Sequence, residues 1–238
     1  MLINALGHKL CMPLLLAAAS ALEQKNFSEI VQLLERSAFR YRNISKQHVG
    51  SLTKIYHNHS VSIRSDPSAY RVSTLKNELH ELQIKKAPDS IFAPSLTKQL
   101  MYSRGAGNKV LRYFLITVEY YYKWYKSGAS GSPKCRDKSR IFDFQNTTIE
   151  HIYPLKPDST AYNSALEPLA NDLGNLTFFG PDDNATLANK NFATKKPAFA
   201  TSSVEMNREL AKKAKWGKAA IKAREEKIKK IALKVFNV

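Results

Sequence analysis

Between residues 148 and 196 the chain sets a carboxylate beside a histidine, Glu150-His151, and follows them with Asn175, Asn184 and three lysines, Lys190, Lys195 and Lys196. His151 is the only histidine in the second half of the chain. An imidazole with an ordinary pKa near ~6.5 is mostly neutral at physiological pH and accepts a proton, which makes His151 the expected general base. Glu150 and Asn184 present hard oxygens suited to Mg²⁺, with Mn²⁺ as a substitute, an ion that keeps several waters and needs only one or two protein ligands. Asn189 and Asn191 compete with Asn184 for that place. The three lysines suit phosphate contacts, and near a helix end they equally complement the helix dipole, so both readings stand. A base, a cation and a group that orients the base are together what hydrolysis of a phosphodiester demands.

The elements that must hold these residues can be read locally. Thr147 to Tyr153 (TTIEHIY) and Leu173 to Phe179 (LGNLTFF) read as strands, separated by a polar loop holding Pro154, Pro157 and Pro168. Gly180-Pro181 turns the chain, and Asp182 or Asp183 is placed to cap a short helix through about Lys190. Neighbours on a regular strand point to opposite faces, so Glu150 and His151 serve one site only where the strand ends, bends or bulges, and Pro154 makes an end there plausible.

Ahead of this segment, residues 13–125 read as a run of helices. One opens at Pro13, a second carries Phe27, Ile30, Val31 and Leu34, and Asp66-Pro67 signals the start of a third with Val72, Leu75, Leu79 and Leu82 on one face. Leu111, Leu115, Val118, Tyr122 and Tyr125 mark an amphipathic helix whose many aromatics are expected to pack in the core. Lys126 to Arg140 (KSGASGSPKCRDKSR) reads as a basic linker, and the last 38 residues as one long basic helix with Ile221, Ile228, Ile231, Ala232 and Val235 as its apolar stripe. The domains expected are therefore a helical basic region at 1–125, a linker at 126–140, and a domain at 141–238.

The segment Thr148 to Lys196 resembles the HNH, or ββα-metal, nuclease core, and more narrowly the C-terminal HNH domain of GmrSD-type restriction enzymes, which act on modified DNA. The resemblance rests on the E-H pair with Pro three residues on, the LGNLT strand, an Asn nine residues after the strand Asn, and the run N-K-x-F-x-x-K-K. It covers 147 to about 236 firmly, with Trp216, Ile221 and Arg224 fitting the closing helix, and the helical region more loosely. It implies that His151 is the base and that Asn175 braces the loop carrying it. It also implies an α+β, mostly α protein: an N-terminal helical region, a ββα-metal nuclease core and a long C-terminal helix. The implied activity is metal-dependent cutting or nicking of double-stranded DNA within a restriction or phage-defence system. Relatives carry an N-terminal nucleotide-handling domain with no counterpart in these residues, so the resemblance implies a C-terminal portion, a truncated relative or a separate subunit.

Composition is compatible. Hydrophobic residues make up 43% and charged residues 24%, which excludes a disordered or fibrous chain. The net charge is +17. Residues 1–125 hold 17 basic and 8 acidic groups, 126–200 hold 9 and 8, and 201–238 hold 11 and 4, so two basic segments flank a nearly neutral middle, as a polyanion binder requires. Cys11 and Cys135 form no metal or disulfide framework, and the apolar run Cys11 to Leu22 is too short to span a membrane, so a cytoplasmic protein is expected. His57-Asn58-His59 spells the motif's letters without its dispersed geometry and is expected at the surface or in a loop. Gly105 to Lys109 lacks the spacing of a phosphate loop. A non-catalytic nucleic-acid-binding module on a degenerate scaffold, and an RNA-directed nuclease or toxin, are the alternatives.

Overall fold

The computed structural model describes residues 2–105, 107–135, 147–179 and 189–238. It is mostly helical with one small sheet, the α+β class expected. Two compact units divide at Gln99 and Leu100: Met1–Gln99 with Phe236–Val238, and Leu100–Val235. The division lies ahead of the Lys126 to Arg140 stretch, so the aromatic helix that the sequence groups with the N-terminal region belongs to the second unit. Residues 136–140 of that stretch, and 141–146 after it, lie outside the described residues.

The first unit holds α1 (Met12–Ala21), α2 (Gln24–Ser37), α3 (Gly50–Ser65), α4 (Val72–Lys86) and α5 (Asp89–Gln99). Pro13 sits in the first turn of α1, where its missing N–H costs nothing. Asp66-Pro67 does not start a helix directly. The Asp66 carboxylate accepts the N–H groups of Ser68 and Ala69 in a local turn, and α4 begins only at Val72. The stretch after α2, Ala38–Ile44, is π-helical and buries Arg40, whose Nε donates to the Ala87 carbonyl at 2.8 Å and whose Nη2 meets Asp89 at 2.6 Å. His57-Asn58-His59 lies within α3; helical spacing leaves His57 and Asn58 exposed and turns His59 inward, 3.0 Å from the Tyr70 hydroxyl. The chain's last residues close this unit, with Phe236 stacked on Phe39 at 4.1 Å and the Val238 N–H donating to Gln83.

The second unit is built on α6 (Lys109–Lys126). It is buried from Tyr113 through Tyr122, on all sides rather than along one stripe, because its polar positions are few and its aromatics fill the space around it. Strands β1 (Thr148–His151) and β2 (Leu176–Phe179) pair antiparallel, with Glu150 opposite Thr177 and His151 opposite Leu176. After them come α7 (Phe192–Thr201), α8 (Glu205–Ala211) and α9 (Lys218–Val235). The C-terminal basic segment is thus two helices and not one. It breaks at residues 212–217, where Trp216 turns into a core shared with Ile152, Tyr153, Phe179, Phe199 and Ile221. The α8 N-terminus is capped from another helix: the Glu119 carboxylate of α6 accepts the N–H groups of Glu205 (2.7 Å) and Met206 (3.1 Å).

Candidate functional site

A single buried amide ends β1. Asn175 uses its full hydrogen-bonding capacity: Oδ1 accepts from the Tyr153 N–H at 2.8 Å and the Trp216 indole at 3.0 Å, and Nδ2 donates to the carbonyls of Tyr153 and Ala170, each at 2.8 Å. Its own carbonyl accepts the Ile152 N–H at 2.9 Å. The chain after His151 is thereby turned away from the sheet, and the amide makes bonds that an aspartate, with no donor, would forfeit. Asn175 touches backbone and indole and acts as a brace for the residues following His151.

The brace is pressed from behind by α9. A Cβ on Gly174 would lie 2.2 Å from the Ile221 carbonyl, so only glycine lets the segment approach the helix this closely. Arg224 Nη1 donates to the carbonyls of Gly174 (3.0 Å) and Leu176 (2.6 Å), and Lys222 pairs with Asp172 at 2.9 Å.

His151 is held at its ring by two residues that sequence reasoning did not single out. Nε2 lies 3.3 Å from Asn171 Oδ1, and the ring meets Tyr102 edge to face at 4.6 Å. With that oxygen as acceptor, Nε2 carries the proton and Nδ1 the lone pair. Burial lowers the pKa of His151; the Asn171 bond opposes this and the Lys195 charge adds to it, so the ring is neutral at physiological pH. His151 is buried, with 8% of its surface exposed. Asn171 stands four residues before Asn175, but nothing in its local pattern separates it from any loop asparagine.

Glu150 and Lys195 change the expected roles. The Lys195 ammonium, 1% exposed, sits 2.6 Å from Glu150 Oε1 and 2.6 Å from the His151 carbonyl. Burial pushes the Glu150 carboxyl up and the Lys195 ammonium down, while each favours the other's charged form. Lys195, expected at phosphate, is an interior residue instead, because residue 195 falls on the inward face of α7. Glu150, expected as a metal ligand, has its charge neutralised by that ammonium. The two neighbours also engage different partners, Glu150 the helix and His151 the loop, as strand alternation requires.

Asn184 lies outside the described residues, as does most of the helix expected through Lys190. Asn191, its competitor, is the cap of α7, its Oδ1 accepting the Thr194 N–H at 3.0 Å, and Asn189 uses its carbonyl on the Asp158 N–H. Lys190 is exposed and reaches Asp158 at 3.4 Å, and Lys196 is half-buried on α7. Among the described residues no three His, Cys, Asp or Glu side chains gather as a metal site. Glu150 is already paired with Lys195, and Asn184, the other expected ligand, lies outside the described residues.

The site is an antiparallel hairpin whose first strand ends on a neutral histidine and whose return strand is led in by a bracing asparagine, with a helix behind. The family model of GmrSD restriction endonucleases, C-terminal domain, matches residues 86–231, more than half of the chain, and the chain belongs to that family. No curated protein matches it.

Proposed function

We propose that this protein is a DNA endonuclease of the HNH kind, hydrolysing phosphodiester bonds in double-stranded DNA. The observation that carries the reading is His151: neutral through burial, fixed at a strand end and oriented by Asn171. In the reaction, Nδ1 takes a proton from water, the hydroxide attacks phosphorus, and the bond to the 3′ oxygen breaks, that oxygen leaving with a proton taken from solvent. One such site cuts one strand, so nicking is the basic activity. Membership of a restriction-endonuclease family supports DNA as substrate and nuclease chemistry. A role against modified or foreign DNA, with a nucleotide-handling domain or subunit as partner, extends the same reading.

Mg²⁺ or Mn²⁺ is the cofactor expected from sequence. Glu150 is held by Lys195. That same ion pair favours the second reading, a nucleic-acid-binding module that retains the hairpin as scaffold. Supercoiled plasmid separates the two when incubated with and without divalent cation. The nuclease reading expects relaxed circles from the wild type and a rate about 10²–10⁴ lower from His151→Ala at unchanged thermal stability. Cutting by the variant at the wild-type rate excludes His151 as the base, and salt-dependent binding without any cutting by the wild type establishes the scaffold reading.

A further inference from the structure

The loop joining α8 to α9 concentrates charge that the fold leaves unused. Lys212, Lys213, Lys215 and Lys218 are all exposed, fall within seven residues that contain no acid, and form no ion pair among the described residues. Four of the unit's other lysines are neutralised internally: Lys195 by Glu150, Lys222 by Asp172 and Glu225, Lys227 by Glu209, and Lys229 by Glu225 and Glu226. Unpaired ammonium groups on a fixed loop gain most from a ligand with repeating negative charge, because each phosphate they neutralise releases counterions.

Beside this loop is a cavity of about 350 Å³, at the lower end of the range that small ligands occupy. Its lining combines Lys215 with four aromatic rings, Tyr153, Tyr162, Phe192 and Trp216. Phe192 and Trp216 stack on one another at 5.5 Å, forming a rigid wall, and Tyr162 stands 58% exposed at the mouth. An exposed ring at a cavity mouth with a cation beside it is the arrangement that stacks an unpaired base and holds its phosphate. The cavity shares Tyr153 and Trp216 with the hydrogen bonds of Asn175, so its wall begins two residues from His151.

We propose that this cavity and loop form a nucleotide subsite: the base of an unstacked residue of the DNA strand enters against Tyr162 and the Phe192–Trp216 wall, its phosphate rests on Lys215, and neighbouring phosphates follow Lys212, Lys213 and Lys218. The proposal rests on the DNA-acting reading above, and it places nucleic-acid contacts on a loop distinct from Lys190, Lys195 and Lys196.

The test titrates the full chain, without divalent cation, into a single-stranded oligodeoxynucleotide carrying one fluorescent aminopurine base. Stacking in the cavity quenches the probe. Tyr162→Ala is expected to weaken binding about five- to tenfold and to abolish the quench. Lys215→Gln is expected to weaken binding and to reduce the salt slope by about 0.7, the loss of one single-strand phosphate contact. Both positions are exposed, so both variants fold. Wild-type affinity and quench in both variants overturn the subsite, as does saturation by a free mononucleotide as tightly as by the oligonucleotide, which would make this a mononucleotide pocket. The two readings fail separately. Plasmid cutting that depends on His151 but ignores Tyr162 and Lys215 removes the subsite alone, and variant-sensitive binding without any cutting removes the nuclease alone.

Discussion

The helical unit and the unit carrying His151 both bury ionisable side chains, and they use them differently. In the first, such groups meet partners that hold helices together: His8 and Tyr56 at 3.0 Å, Arg40 with Asp89 and the ring of Phe92, His59 with Tyr70. In the second, Lys195 binds the His151 carbonyl and Arg224 the carbonyls of Gly174 and Leu176, and the Asn175 amide joins these two stretches of backbone through Tyr153. Burial of a polar group is therefore no sign of a functional site by itself. What distinguishes the second unit is that its buried groups hold the backbone on either side of a histidine.

The strongest way to break this comparison is Lys195→Met, which leaves the Glu150 carboxylate buried without its cation. Loss of one partner of a buried pair costs about 3–5 kcal/mol, so a large fall in melting temperature is expected. Hydrogen exchange should rise in β1, β2 and α7 while α1 to α4 keep their protection. Uniform loss across both units would show that the pair supports the whole chain and not the loop.

Acid sharpens the comparison from the other side. Burial, with Arg42 adding to it, lowers the His8 pKa to about 4. Because the folded value lies below the unfolded one, the unfolded chain takes the proton first as pH falls. The stabilisation is complete above about 6.5 and lost progressively down to about 4, a change of about 3 kcal/mol. His8→Gln, which cannot titrate, should flatten this part of the stability profile of the helical unit. Burial lowers His151 in the same direction, so the plasmid-cutting rate should be level at neutral pH and fall only below the ordinary histidine range. A rate that already halves between about pH 8 and about pH 7 would contradict a depressed base.

Gly174→Ala gives the smallest effect. Its new methyl meets the Ile221 carbonyl of α9 and forces the segment outward, at about 1–3 kcal/mol. Plasmid cutting should fall with it, since the displaced carbonyls are those Arg224 holds. Unchanged stability would show that α9 yields, and that the close approach is incidental to the brace.

Much of the molecule was legible in local pattern. The helix that opens at Pro13 follows from its start signal and the stripe Val72, Leu75 and Leu79 from periodicity, because a side chain's face is set by its spacing along the chain, and the strands Thr148–His151 and Leu176–Phe179 fall within the two longer stretches read as strands. Less legible were the ends of elements. The break at Trp216 was hidden within a basic run with good helical spacing, since what stops the helix there is a core that the indole enters and the hydrogen bond it gives Asn175. The aromatic helix α6 shows the same limit: its stripe was visible, but its burial on every side depends on what surrounds it.

The sequence by itself determined which residues could do chemistry and the order in which they come: a histidine next to a carboxylate, an asparagine entering the return strand, and lysines on the helix after it. The tertiary structure decided what each of them does. Lys195 meets Glu150 across 45 positions of chain, and Trp216 meets Asn175 across 41. Partners that distant leave no local trace, because a charge or an amide is free to pair with whatever folding brings near it. Composition can state that such groups must be satisfied when buried, and only packing selects by whom.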